Sequence, residues 1–312
     1  MNARHAAAAL GAVTAIAASV FGASEVQAQN APPVGCLLVV EPGSSRWTIE
    51  SYDPYSGQPA YGQFQVAWIN QGDKKCMGDA VVRLNSEPYG MRNPTQPSMG
   101  LLYYGLVNES TNTDLTPSTP TTNGQFNGPQ LQVEPGQRII QTMGLSVDTQ
   151  NLSGDGLFQQ TVTLGLRRRN SVVYEGQADV TLAINVRPSA VMGLTGAFQR
   201  NNGVANIELG ELSPGRTNDP VNLWVRGTRG YKVTIQSRNM GELRQSSGDW
   251  AVPYGLSVGG MSIDLANPVP FQSTPGAGLR NDSYPLVITV GQTAGQRAGR
   301  YSDLLTLTLA PM

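Results

Sequence analysis

The stretch AGRYSDLLTLTLAPM, residues 298–312, decides how the rest of the sequence is read. Leu305, Leu307 and Leu309 alternate with Thr306, Thr308 and the small Ala310, the period of two of a strand with one buried and one wet face. A strand of this kind has two edges to satisfy. No hairpin and no further apolar run follows it in the sequence, so what lies along its second edge is the question the rest must answer.

The other end of the sequence reads as an address. Arg4 and His5 lead into the Ala-rich run from Ala6 to Gly22, and Val26-Gln27-Ala28 is a small-residue cleavage pattern, so residues 1–28 are expected to be a signal peptide and the mature chain to begin at Gln29. The apolar run is shorter than the ~20 residues needed to span a bilayer, which argues against a retained anchor. Removing it removes His5, the only histidine. Catalytic triads with a His base and metal sites with a His ligand are thereby excluded, and no residue pattern asks for a cofactor. Cys36 and Cys76 are the only cysteines; in an exported chain they are expected to form a disulfide rather than bind metal. With 21 Lys plus Arg against 22 Asp plus Glu, nothing points to a nucleic-acid partner.

Between these ends the 36 glycines and 21 prolines punctuate many short alternating runs, and no mature window of eleven or more residues keeps a helical period, so the fold class is all-β. The runs form two series, Cys36 to Val186 and Met192 to Leu309, that share local words. ESYDPYSG at 50–57 parallels ELGELSPG at 208–215, AWIN at 67–70 parallels LWVR at 223–226, and YYGLV at 103–107 parallels PYGLSV at 253–258. EGQADVTLAINV at 175–186 parallels AGRYSDLLTLTL at 298–309. The expectation is a duplicated sandwich, 29–188 and 189–312, joined near Arg187-Pro188-Ser189. The first copy is longer chiefly through the polar insertion at 108–130, which reads as a loop.

These words resemble a known family. ELGELSPGRTNDPVNLWVRGTRGYKVTIQSRNMGEL (208–243), VPYGLSV (252–258) and the closing AGRYSDLLTLTL are similar to the spore coat U type domain of pilins from archaic, Csu-type chaperone-usher pili. The match is looser in the first copy, where the Tyr of the closing pattern is absent. The resemblance implies two immunoglobulin-like β-sandwich domains, the C-terminal one lacking its final strand, so that Leu305, Leu307 and Leu309 line a groove. A periplasmic chaperone, and later an extended segment of the adjacent subunit, would fill it; the outer-membrane usher is the third partner implied.

A shaft subunit carries its own donor strand, about ten alternating apolar residues ahead of the domain. Here only seven residues, Gln29 to Gly35, precede Cys36, and Pro32 and Pro33 among them remove ladder donors. The sequence therefore reads as a pilus tip adhesin, exported through the periplasm to the cell surface. Its expected target is an abiotic or host surface, and its expected role is in biofilm formation. Binding residues are expected on Gly/Pro-rich loops of the first copy: Tyr89, Met91 and Met99 in 85–100, Leu115 and Phe126 in the insertion, with 151–158 as a further loop. The alternatives are a sugar-binding tip, in which the insertion holds a glycan, or a structural pilus or coat subunit without its own ligand.

Other signals are weaker. DTQNLSGDG at 148–156 lacks the acids and the closing Glu of a calcium loop. Arg167 to Arg169 reads as a solvated turn. No pair stands out among the acids as a glycosidase would need, so no enzyme is expected.

Overall fold

The computed structural model describes residues 35–85, 87–117 and 130–312; the expected signal peptide and Phe126 lie outside them. The described residues contain strands and no helix, and the strands fall into two groups, each around its own apolar cluster.

The first group runs β1 (Leu38–Pro42), β2 (Arg46–Tyr52), β3 (Tyr61–Asn70), β4 (Cys76–Leu84), β5 (Tyr104–Asn108), β6 (Thr113–Asp114), β7 (Leu131–Val133), β8 (Arg138–Val147), β9 (Gly156–Arg167) and β10 (Tyr174–Val186). They form two sheets, ordered β1-β3-β8-β5-β6 and β2-β10-β9-β4-β7. Alternation places Phe158, Val162, Leu164 and Leu166 of β9 and Val180, Leu182, Ile184 and Val186 of β10 in the cluster, each at most 1% exposed. Trp47 stacks flat on Phe64 at 5.2 Å. Buried Trp68 donates from Nε1 to Gln141 Oε1 at 2.8 Å, which satisfies both polar groups inside the core. The expected disulfide joins Cys36, just ahead of β1 in one sheet, to Cys76 at the start of β4 in the other.

The second group runs β11 (Ala190–Gly196), β12 (Gln199–Asn201), β13 (Val204–Asn206), β14 (Val221–Arg229), β15 (Tyr231–Ser237), β16 (Glu242–Gln245), β17 (Ala251–Val258), β18 (Met261–Ile263), β19 (Phe271–Gln272), β20 (Ala277–Val290), β21 (Tyr301–Ser302) and β22 (Leu305–Pro311). One sheet is ordered β11-β14-β20-β17-β16-β21, with β18 beside β17; another is β19-β15-β22; β12 and β13 pair only with each other.

Superposing the pairings, not the words, gives the correspondence between halves. The order β1-β3-β8-β5 matches β11-β14-β20-β17, and the antiparallel pair β4-β9 matches β15-β22. The strand equivalent to β22 is therefore β9. β10, whose sequence parallels that of β22, has no counterpart in the second half, which corrects the pairing of 175–186 with 298–309. Both segments alternate because both are strands with one buried face, and alternation carries no information about position in a sheet.

The register also fixes which loops share an end. β9 pairs Gly156 with Val186, which leads into the second half, and Arg167 with Tyr174. Loop 168–173 therefore lies at the end away from the second half, together with loop 71–75 and the turn 134–137 that carries the chain from β7 in one sheet to β8 in the other. Loops 53–60, 85–103 and 148–155 lie at the near end, where Asp53 pairs with Arg187 and Leu279 N donates to Ser153 O at 2.9 Å.

Candidate functional site

β22 lies at the edge of its sheet. All seven of its residues are in register with β15, from Leu305 opposite Ser237 to Pro311 opposite Tyr231, and no other strand among the described residues pairs with it. An antiparallel strand turns its N–H and C=O groups alternately to its two sides, so one side of β22 is left as an open ladder. Leu305, Leu307 and Leu309 face the second cluster but are only half-buried, while Thr306 and Thr308 point to solvent. β11, which among the described residues pairs with β14 alone, is the facing edge; Ala190, Met192 and Leu194 on it are half-buried against the same cluster. Beneath them Val221, Leu223, Val225, Val233 and Ile235 are at most 2% exposed. The site is thus two strand edges with half-covered apolar side chains over a closed floor.

The first half shows what closes such a site. Beside β9, the equivalent of β22, runs β10 in an unbroken antiparallel ladder from Gly176 to Val186, and β10 is itself flanked by β2 in parallel. The inward side chains of β9 are accordingly sealed, where those of β22 are not.

Both ends of β22 are pinned. Ahead of it, Asp303 accepts from Ser237 Oγ at 2.5 Å, Tyr254 Oη at 2.6 Å and Asn239 N at 3.0 Å. Behind it, Met312 N donates to Gly230 O at 2.8 Å. Burial, reinforced by the bond to Asp303, pushes the Tyr254 phenol well above its ordinary value; burial likewise raises Tyr231, which donates to Asp282 Oδ2 at 2.6 Å. These phenols keep their protons in the folded chain after the unfolded chain has released them at pH about 10. Their contribution is complete below that pH and is lost as pH rises above it. The second half is expected to lose thermal stability between about pH 9.5 and 11, and Tyr254→Phe to flatten that decline. Equal slopes in melting experiments on both proteins would count against the linkage.

Leu305, Leu307 and Leu309 lie on one face of an edge strand, against the second cluster. Of the expected surface-binding residues, Met91 and Leu115 do not lie at the surface. Met91 is fully buried and Leu115 is 6% exposed, so both are core residues that offer no contact surface. Tyr89 is half-buried, stacked at 5.5 Å on Tyr103 and 4.9 Å from Tyr104, with its hydroxyl donating to the Tyr104 carbonyl. Met99 is half-buried against the first cluster, its Cε 2.8 Å from where a Cβ on Gly154 would stand. Loop 85–103 carrying Tyr89, Met91 and Met99 belongs to the near end, because Arg92 bridges to Gln159 at the start of β9.

At the opposite end Val172 is 84% exposed and Val173 50%. Their loop is held rather than loose. Arg168 N donates to Val173 O at 2.9 Å, Ser171 N to Arg168 O at 3.1 Å, and Asn170 takes the left-handed conformation at φ 57°. Arg168 pairs with Glu175 at 2.6 Å, and Arg169 holds the buried Asp79 by two bonds, of 2.7 and 3.3 Å. The cations turn back to the sheet, so the valines lead. Two β-branched apolar residues directly after Arg-Asn-Ser, where a turn favours polar residues, are the signal that the sequence carries for this contact.

No family model and no curated protein matches the sequence. Among solved structures, the chain is similar to the chaperone and tip adhesion subunit pre-assembly complex of archaic chaperone-usher Csu pili from Acinetobacter baumannii, at 13% identity and TM-score 0.47, covering 85% of this chain and 97% of that one. It is also similar to a tip adhesin from Pseudomonas aeruginosa (8% identity, TM-score 0.37, 88% and 94% covered). A third likeness is to the adhesive subunit of CFA/I fimbria from enterotoxigenic Escherichia coli (11%, 0.33, 88% and 81%).

Proposed function

We propose that this protein is the tip adhesin of an archaic chaperone-usher pilus. On this reading residues 29–188 are an immunoglobulin-like adhesin domain and 189–312 a pilin domain whose missing final strand comes first from a chaperone and then from the adjacent subunit. The observation that carries the reading is the difference between the halves: β9 is covered by β10, while β22 stands open beside β11. An exported protein that leaves such an edge exposed is prone to edge-to-edge association, so a partner that occupies it is part of the function. The sequence words shared with spore coat U type domains point to the same partner class, and the usher follows from it.

Export with and without a cognate chaperone tests the assignment. Accumulation of intact protein only with the chaperone, in a complex that a shaft subunit's extended segment displaces, is the expected result. A stable, monodisperse chain that ignores both would end the pilus reading.

Adhesion is assigned to the outer end of the first half, with Val172 and Val173 as the contact, because an apolar knuckle presented by fixed ion pairs loses little freedom on docking. The double substitution Val172→Asp and Val173→Asp is expected to lower adherence of piliated cells to plastic and biofilm mass about tenfold, with melting temperature unchanged, since exposed substitutions shift stability by about 0.5 kcal/mol or less. Full adherence by the variant would place the contact elsewhere, and loss of adherence with free sugars would favour the sugar-binding alternative.

A further inference from the structure

Arg229, the last residue of β14, stands where three parts of the molecule meet. Its Nε and Nη2 donate to the two carboxylate oxygens of Asp155 at 2.9 and 2.5 Å, and its Nη1 donates to the main-chain oxygen of Met312 at 2.8 Å. Asp155 is 3% exposed and directly precedes β9 in the first half; Met312 directly follows β22. One planar guanidinium therefore binds the loop ahead of one strand and the tail of its equivalent in the other half. The fork geometry suits this: two parallel bonds fix the plane against the carboxylate and leave a third donor at a set angle.

The surroundings leave little slack on the first-half side. Leu279 N donates to Ser153 O at 2.9 Å, and Gly154 is wedged where a Cβ would stand 2.8 Å from Met99 Cε and 2.9 Å from Gly278 N. On the other side the tail of β22 is laddered along one edge only, with Met312 N held by Gly230 O. We propose that Arg229 is a relay: a strand added to the free edge of β22 fixes the main-chain oxygen of Met312, which fixes the guanidinium, which tightens loop 148–155 and with it the junction to the first half. This rests on the reading of β22 as a strand-accepting edge. It goes beyond that reading by making occupancy of the edge perceptible in the half that carries the outer loops. The coupling exists only to the extent that Arg229 binds better when β22 is fixed.

Hydrogen exchange on the mature chain tests it, with and without residues 174–186 appended after Met312 through a flexible linker, since β10 is the strand that closes the equivalent edge in the first half. Amides of β22 are expected to gain protection, and amides of 152–157 to slow by about tenfold. Asp155→Asn, which keeps the shape and removes the charge, is expected to retain the gain on β22 and lose the gain on 152–157. Arg229→Lys, a point charge without the fork, is expected to do the same, which guards against an effect peculiar to the buried asparagine. Equal slowing of 152–157 in both variants, or protection of β22 with none at 152–157 in the parent chain, overturns the relay. No gain on β22 itself refutes the strand-accepting edge, and the relay falls with it.

Discussion

Closing the free edge of β22 with an appended strand of residues 174–186 will raise the unfolding temperature of the second half by roughly 10 °C. Five side chains that line the edge, Met192, Leu194, Leu305, Leu307 and Leu309, are half-buried. Completing their burial contributes about 1 kcal/mol each, and the four inward residues of the added strand about 2 kcal/mol each. Ordering about eight residues of strand costs somewhat more than 1 kcal/mol apiece, which leaves a net gain of about 3 kcal/mol. At roughly 3–4 °C per kcal/mol for a unit of this size, the shift is large enough to read by calorimetry. Replacing Leu307 by Asn in the extended chain should remove much of it, because the substitution puts an amide where the added strand seals the site. An unchanged unfolding temperature would mean that the edge is already satisfied.

Removing the disulfide should act on the other half. The bond between Cys36 and Cys76 closes a loop with a sequence separation of 40, for which the chain-entropy estimate is about 4 kcal/mol. Cys36→Ala with Cys76→Ala is expected to lower the unfolding temperature of the first half by roughly 12 °C, with alanine chosen because Cys76 is fully buried. The second half's transition should stay within about 2 °C, since the two apolar clusters share no residue. One transition that moves as a whole would show that the halves unfold as a single unit and would argue against two domains.

Much of the fold could be read from the sequence because local period and turn chemistry are local properties. The all-β class, the disulfide and the facing of Leu305, Leu307 and Leu309 follow from alternation, spacing and cellular compartment. What could not be read is long-range. The turn at Glu134-Pro135-Gly136 is a sheet change, and nothing in its residues distinguishes a hairpin within one sheet from a crossing between two. Without it the parity of strands is undetermined, and loop 85–103 cannot be assigned to the near end. Met91 and Leu115 were misread for a related reason: an apolar residue in a Gly/Pro-rich stretch looks exposed until the bridge to Leu102, or the ladder beside β5, is known to draw it inward. β10 is the most instructive case, since the likeness of its alternating pattern to that of β22 reflects a shared face and not a shared place.

The position of β10 in the chain also sets an order of events. Every strand of the first half has been synthesised by Val186, so a chain that emerges amino end first can finish that half while the remainder is still in transit. The second half reaches no such moment within its described strands, since one edge of β22 is still open when β22 itself has paired. If a partner strand completes that edge, as proposed above, any check on completion bears on the last stretch alone. On that reading the half that carries the outer loops matures before the half that accepts the strand.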